Sequence, residues 1–180
     1  MPPASQPIFV ISGTHGSGKS TVAAALMQHF EFGIHIAVDD VRRWVVSGFA
    51  DAVPDDAAET GRQFRLARWS ALQTATIYAE AGFAVALDDA VAEGIFQRQY
   101  QQLLHGYPIR KVLLAPPLPV IQARLAELGI KQTKAWQDHV RSLYQELGKT
   151  NRTGDKWLIL DNSDLSVEDT VAQILDKMKI

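Results

Sequence analysis

The sequence predicts an α/β fold in which helices cover both faces of a parallel sheet, giving three layers. Five short runs of apolar, mostly branched residues are typical of strands that are buried on both sides, and helical spacing of apolar residues returns between them. Strands that alternate with helices form a parallel sheet, because each crossover helix returns the chain to the same end of the sheet. The five predicted strands are 8–11, 34–38, 83–87, 110–115 and 157–160.

The segments between these runs carry the helical pattern. The alanine-rich residues 20–30 follow the first strand, and residues 56–81 predict one long helix or two with an apolar inner side. Two further helices are indicated by apolar stripes near the end of the chain. The stripes are Ile121, Leu125 and Leu128, and then Val171, Ile174, Leu175 and Met178.

Composition and length narrow the class of protein. The chain has 180 residues, 47% of them hydrophobic, and without a linker or repeat it predicts a single domain over residues 1–180. Eighteen Lys and Arg against twenty Asp and Glu give a net charge of −2, which argues against a nucleic-acid partner.

The absence of cysteine favours a reducing compartment. The apolar run 8–11 is too short for a signal peptide or a membrane span, so we expect a cytoplasmic protein without a membrane partner.

The segment between the first strand and the first helix matches the phosphate-loop pattern G-x-x-x-x-G-K-[ST]. Glycines let the backbone N–H groups approach phosphate oxygens at the positive end of the following helix. Lys19 adds a positive charge for the outer phosphates, and the Ser20 hydroxyl is a ligand for Mg²⁺. His15 is interpreted as a loop side chain near the phosphates. The sequence therefore predicts that ATP with Mg²⁺ is bound by Gly13, Thr14, His15, Gly16, Ser17, Gly18, Lys19, Ser20 and Thr21.

Carboxylates follow three of the predicted strands, at the edge of a parallel sheet where ligands bind. These are the doublets Asp39-Asp40 and Asp88-Asp89, and the single Asp161. Asp88, after five apolar residues, is predicted to support Mg²⁺, and Asp39 is predicted to accept a proton from a substrate hydroxyl. The neighbouring acids Asp40 and Asp89 compete for the same roles. Asp161 precedes a helix and is interpreted as structural.

Arginines near the second strand and along the long helix are candidates for binding an anionic acceptor. Arg42 and Arg43 follow the Asp39-Asp40 doublet, and Arg62, Arg65 and Arg68 recur at every third residue. The alternative is a solvated basic face that nearby acids balance. We predict that Asp39, Arg42 and Arg65 bind the acceptor, because an arginine pair can hold an anion through charge-assisted hydrogen bonds.

The chain resembles small P-loop kinases of the nucleoside-monophosphate-kinase-like group, which also holds shikimate, gluconate and chloramphenicol kinases. The phosphate loop is the specific part of the resemblance, and the pattern around it spans nearly the whole chain. Segment 38–42 is most similar to chloramphenicol-phosphotransferase-like proteins, whose strand-end Asp acts on the acceptor hydroxyl, which favours Asp39. The matching segments are 9–21, 38–42, 85–89, 113–117 with Arg124, and 158–163.

The resemblance implies a P-loop NTPase fold with a five-stranded sheet of order 2-3-1-4-5, in which Asp88 lies next to Ser20. It also implies a short lid over about residues 124–140 that bears a catalytic arginine, here Arg124. Lys131 and Lys134 stand where many relatives carry further arginines, and a lysine does not form the bidentate fork of an arginine.

Three functions fit the sequence. The first is an ATP-dependent phosphotransferase that acts on a hydroxyl or phosphate of a small molecule, with Lys19, Asp39 and Arg124 in catalytic roles. The second is a nucleotide-binding regulator that hydrolyses ATP slowly or not at all. The third, a polynucleotide 5′-hydroxyl kinase, is disfavoured by the net charge.

Overall fold

The sheet of the protein consists of five strands, all parallel. The computed structural model describes residues 6–51, 57–130, 133–152 and 157–180. The spatial order of the strands is β2-β3-β1-β4-β5, which confirms the predicted parallel sheet and its order. The strands are β1 Ile8–Ser12, β2 Gly33–Ala37, β3 Ala84–Asp88, β4 Ile109–Leu114 and β5 Trp157–Leu160.

The register of the central strands determines which side chains meet at the carboxyl edge of the sheet. Ile11 of β1 pairs with Asp88 of β3, and Ala37, the last residue of β2, pairs with the same aspartate. On the other side of β1, Ser12 pairs with Leu113 of β4. The segments that follow β1, β2 and β3 therefore leave the sheet side by side.

The strands are connected by helices that run back along the sheet. A 3₁₀ turn, Lys149–Arg152, precedes β5. None of the helices within the described ranges is long and apolar enough to cross a membrane. The helices are α1 Lys19–Met27, α2 Val38–Arg42, α3 Ala57–Glu80, α4 Glu93–Ile95 continued by a π-helical turn Phe96–Tyr100, α5 Leu118–Glu127, α6 Lys134–Gly148 and α7 Val167–Met178.

The hydrophobic core has a layer on each face of the sheet, because successive side chains of a strand point to opposite faces. Helices α1 and α7 cover one face, and α3, the π-helical turn and α6 cover the other. The first layer includes Phe9, Ile11, Val22, Leu26, Val171 and Ile174. The second includes Ile8, Val10, Leu72, Leu87, Tyr100 and Leu147.

Some element boundaries differ from the prediction. Val38 was predicted to end the second strand but begins α2, because Asp39 and Asp40 fall in a first helical turn, where the helix dipole favours carboxylates. The segment predicted as the lid contains the end of α5 and the start of α6, which begins after an N-cap formed by Thr133. Lys131 lies outside the described residues. That this helix pair moves as a lid stays a prediction.

Candidate active site

The phosphate loop joins β1 to α1 and has the backbone shape that its glycines predict. Gly16 and Gly18 adopt φ values of 80° and 90°, a left-handed region that residues with a side chain rarely occupy. A Cβ atom at Gly16 would lie 2.8 Å from Cγ of Leu125. Gly18 is the N-cap of α1 and supplies no side-chain cap, so the first N–H groups of this helix are available to an anion.

The polar groups around the loop fit a nucleotide phosphate chain with Mg²⁺. A cavity of about 390 Å³ beside the loop is lined by Gly16, Gly18, Lys19, Ser20 and Thr21 together with residues of α5. The hydroxyls of Thr14 and Ser17 are buried and find no hydrogen-bond partner among the described residues. Lys19 is also buried. Unpaired donors and a cation at the positive end of a helix are suited to phosphate oxygens.

Asp88 faces the loop from the end of β3. Its carboxylate lies 4.0 Å from Nζ of Lys19 and 3.3 Å from Nε2 of His35. Burial alone would raise the pKa of Asp88, but the hydrogen bond of His35 and the charge of Lys19 outweigh burial and lower it. The nearby Ser20 hydroxyl lowers this pKa further. The geometry therefore holds an ionised carboxylate beside the Ser20 hydroxyl, as the proposed metal role of both residues requires.

The site offers few side chains that could bind a metal. This suits Mg²⁺ but does not suit a metal that is held by protein groups alone. No group of three or more His, Asp or Glu side chains within the described ranges is placed to hold a metal ion. Mg²⁺ is typically bound through one or two protein oxygens together with substrate phosphates and water. Ser20 and Asp88 match that arrangement, and their role as metal ligands stays a prediction.

Asp89 makes a different set of contacts from Asp88. It accepts a hydrogen bond of 2.6 Å from Nε of Arg68 and another of 2.6 Å from the Tyr100 hydroxyl. All three side chains are buried. Burial and the negative charge of Asp89 raise the pKa of Tyr100 well above its usual range, so the phenol stays protonated and donates. Asp89 therefore ties α3 and the π-helical turn to the end of β3, and the geometry favours Asp88 for the metal role.

Arg124 and Asn162 donate hydrogen bonds to the backbone of the phosphate loop. The Arg124 guanidinium donates to the carbonyl of Asn162 at 2.8 Å and to that of Ser17 at 3.5 Å. The Asn162 side-chain amide donates to the same Ser17 carbonyl at 3.0 Å. Arg124 also lines the cavity beside the loop. The observed bonds of Arg124 therefore shape the loop, and its predicted role in catalysis stays a prediction.

The two acids that follow β2 point to different surroundings. Asp40 is exposed and pairs with Arg43 at 2.6 Å. Asp39 is half-buried, and its charge raises the pKa of the loop residue His15, against the larger effect of burial. Asp39 thus lies close enough to the phosphate loop for its charge to act on His15. This placement favours Asp39 over Asp40 as the acceptor-side acid, a role that stays a prediction.

The two arginines predicted to bind the acceptor have different surroundings, because one is buried and the other is exposed. Arg42 is 7% exposed and lies between the rings of Phe49 and Phe64, 4.5 and 4.4 Å from their centroids. Its Nη1 donates to the Ala50 carbonyl at 2.5 Å. Arg65 is exposed on α3 and lines a separate cleft. The structure does not bring these two guanidinium groups together with Asp39, and their role in acceptor binding stays a prediction.

His15 packs against α6, a contact that the sequence did not reveal. Its ring centroid lies 6.0 Å from that of Trp136 and 6.3 Å from that of His139. Burial and the nearby charge of Lys19 lower the pKa of His15. His35, Asn162, Trp136 and His139 are the site residues that sequence reasoning missed, because only the tertiary fold brings them to the loop. Only Asn162 has a signal in the sequence that could have identified it as a site residue. It directly follows Asp161, the acid at the end of a predicted strand.

Comparison with solved structures shows the fold of a small P-loop kinase. The tunicamycin resistance protein of Deinococcus radiodurans is 18% identical, over 97% of this chain and 96% of that one, with a TM-score of 0.68. Shikimate kinase from Acinetobacter baumannii, solved with shikimate, is 17% identical over 98% and 94%, with a TM-score of 0.69. Thymidylate kinase from Candida albicans is 16% identical over 97% and 91%, with a TM-score of 0.66. At these identities the likeness establishes the fold.

Comparison with protein-family models assigns the chain to a family. The model AAA_33, described as an AAA domain, matches residues 8–147. The chain therefore belongs to this family, and the match spans the phosphate loop and both acid doublets. No curated protein matches the chain.

Replacing Asp89 by asparagine is expected to lower the free energy of unfolding by about 3–5 kcal/mol, because it leaves the buried Arg68 cation without its partner. Urea denaturation followed by circular dichroism measures this change. Asp40→Asn, which removes the exposed pair with Arg43, is the matched control and should cost less than about 1 kcal/mol. Equal losses in the two variants would contradict the structural role of Asp89.

Replacing His15 by glutamine is expected to reduce the amount by which the free energy of unfolding falls as the pH is lowered. The folded-state pKa of His15 lies below its usual value of 6.5, so the unfolded chain takes up a proton first as the pH falls. Wild type therefore loses stability as the pH drops below about 6.5, down to the folded-state pKa. Urea titrations at pH values between about 7 and 5 measure the slope. The exposed His105→Gln is the control, and an unchanged slope in His15→Gln would refute the expectation.

Proposed function

We propose that the protein is an ATP-dependent phosphotransferase that transfers a phosphoryl group to a hydroxyl or phosphate of a small molecule. The observation that carries this proposal is the meeting of Lys19 and the buried carboxylate of Asp88 at the phosphate loop. The half-buried Asp39 of α2 lies close enough to the same loop for its charge to act on His15. A P-loop kinase fold and a nucleotide-binding site of this kind support kinase-type chemistry.

The donor side of the reaction follows from the loop. The free N–H groups at the start of α1 and the Lys19 ammonium bind the phosphate chain and hold its negative charge. Bound Mg²⁺ would supply charge neutralisation and orientation of the phosphates. Ser20 offers it a hydroxyl oxygen and Asp88 an ionised carboxylate. Catalysis by such a site consists mainly of positioning and electrostatic stabilisation.

The acceptor side depends on Asp39. A carboxylate at the carboxyl end of β2 can accept a hydrogen bond from an acceptor hydroxyl and orient it towards the phosphate loop. The structures with a similar fold include shikimate kinase, solved with shikimate, and thymidylate kinase. These support a small molecule as the acceptor class. The cysteine-free chain suits a reducing compartment, and we place the reaction in the cytoplasm.

Replacing Lys19 by alanine is expected to weaken ATP binding by about tenfold to a hundredfold. A hydrogen bond to a charged group contributes about 1.5–3 kcal/mol, which corresponds to this factor. Isothermal titration calorimetry with Mg·ATP measures the change. Lys149→Ala, which removes an exposed lysine paired with Glu146, is the control and should bind as wild type does. An unchanged affinity in Lys19→Ala would refute nucleotide binding at the loop.

Replacing Asp39 by asparagine is expected to lower kcat by about 10²–10⁴-fold, the usual effect of removing a general base. ATP affinity should stay nearly unchanged, because Asp39 lies outside the phosphate loop. A screen of ATP consumption against nucleosides, sugars, small acids and antibiotics first identifies the acceptor, and steady-state kinetics then compares the variants.

Asp40→Asn is the matched control, since Asp40 is exposed and pairs with Arg43. A loss of kcat confined to Asp40→Asn would transfer the role to that residue. ATP binding without turnover on any acceptor would favour the regulator function over the phosphotransferase.

A further inference from the structure

A second cavity lies between α3 and the π-helical turn, apart from the phosphate loop. Its volume is about 300 Å³, at the lower end of the range for small-molecule sites. Its lining differs entirely from that of the cavity at the phosphate loop. We refer to it as the α3 cleft, and its lining residues are Arg62, Arg65, Leu66, Arg68, Trp69 and Gln99.

The α3 cleft is positively charged. Arg62 pairs with Glu59 at 2.7 Å, and Arg68 pairs with Asp89. Arg65 forms no ion pair with any carboxylate in the described part of the chain. One of the three guanidinium groups is therefore left to bind an anion, since arginine offers several donors in a planar fork.

The walls of the α3 cleft are apolar and aromatic. Trp69 is 58% exposed and Leu66 is 46% exposed, although a side chain of either kind gains by leaving water. Both lie on the same helix as Arg65: Leu66 follows it directly, and Trp69 is four residues after it. A planar, apolar ligand could cover the indole ring and place an anionic group at the guanidinium.

The opposite wall of the cleft contributes a free hydrogen-bond acceptor. Gln99 lies in the π-helical turn Phe96–Tyr100, and its Oε1 atom is buried without a hydrogen-bond partner among the described residues. A buried acceptor without a partner is costly, and a ligand hydroxyl or N–H would satisfy it. Helical segments of the π type occur frequently at functional sites.

The α3 cleft is connected to the phosphate loop through one ion pair. Arg68 lines the cleft and also holds Asp89, the residue directly after Asp88. A ligand that contacts Arg68 would therefore touch the ion pair of the residue next to Asp88. This connection distinguishes the cleft from an ordinary solvated helix face.

We propose that the α3 cleft is a binding site for a small aromatic anion, such as a planar ring that carries a carboxylate, sulfonate or phosphate group. Arg65 binds the anionic group, Trp69 and Leu66 cover the ring, and Gln99 accepts a hydrogen bond from the ligand. The proposal goes beyond phosphoryl transfer and does not depend on ATP being bound, and it assigns Arg65 to the α3 cleft in place of the acceptor role that the sequence predicts for this residue.

Fluorescence titration with two dyes tests this proposal. Anilinonaphthalene sulfonate is an aromatic anion, and N-phenylnaphthylamine is its neutral counterpart. Arg65→Gln should weaken binding of the anionic dye by about tenfold and leave the neutral dye unaffected, because only the anion gains from the guanidinium. Trp69→Ala should weaken both dyes by about three- to tenfold through the lost ring contact.

Two control variants make the test specific. Trp44→Ala removes a tryptophan that is 68% exposed elsewhere and should bind both dyes as wild type does. Lys19→Ala should also leave dye binding unchanged, whether or not it abolishes ATP binding. Wild-type affinity of the anionic dye in both Arg65→Gln and Trp69→Ala would overturn the proposal. Weaker dye binding in Lys19→Ala would locate the dye at the phosphate loop and would overturn it as well.

Discussion

The parallel pairing of β1 with β3 is the constraint on which the rest of the candidate site depends. These strands are far apart in sequence, yet Ile11 lies beside Asp88 at the carboxyl edge. Adjacent strands are about 4.8 Å apart, so Asp88 reaches Lys19 directly. One strand further out, the same carboxylate would stand about 10 Å from β1 and would no longer contact the lysine.

The doublet Asp88-Asp89 shows how one sheet edge serves two purposes. Successive side chains of an extended chain point to opposite faces, so the two carboxylates diverge. One meets Lys19 and His35 at the loop. The other is enclosed by Arg68 and Tyr100 on the α3 side of the sheet. The buried ion pair fixes the position of the strand end, and the neighbouring carboxylate is thereby held towards the phosphate loop.

Sequence reasoning recovered the features that local pattern determines. The five strands follow from apolar runs, and their order follows from the resemblance carried mainly by Gly13–Ser20. No helix is predicted from the sequence at α6, although Trp136, Val140, Tyr144 and Leu147 have helical spacing, and the resemblance assigns only the first part of this segment, up to about residue 140, to a lid.

Other features of the site were beyond local pattern. The sequence places Arg42 three residues after Asp39, a position that suggests a role in binding an anion. The residues that surround Arg42 in the structure, however, lie up to 22 positions further along the chain. Phe49 and Phe64 enclose its guanidinium. The contact of His15 with Trp136 and His139 likewise depends on how α6 packs against the loop, which spacing along the chain does not encode.

The hydrogen bond from the Asn162 side chain to the Ser17 carbonyl joins residues that are 145 positions apart. During synthesis the amino-terminal part of a chain emerges and begins to fold first, so the phosphate loop leaves the ribosome long before its anchor exists. Contacts of such long sequence separation form late, because the entropy of closing a large loop must be overcome. The loop would therefore acquire its final shape only when β5 joins the sheet, and the nascent protein would remain unable to bind nucleotide tightly until β5 and Asn162 have been synthesised.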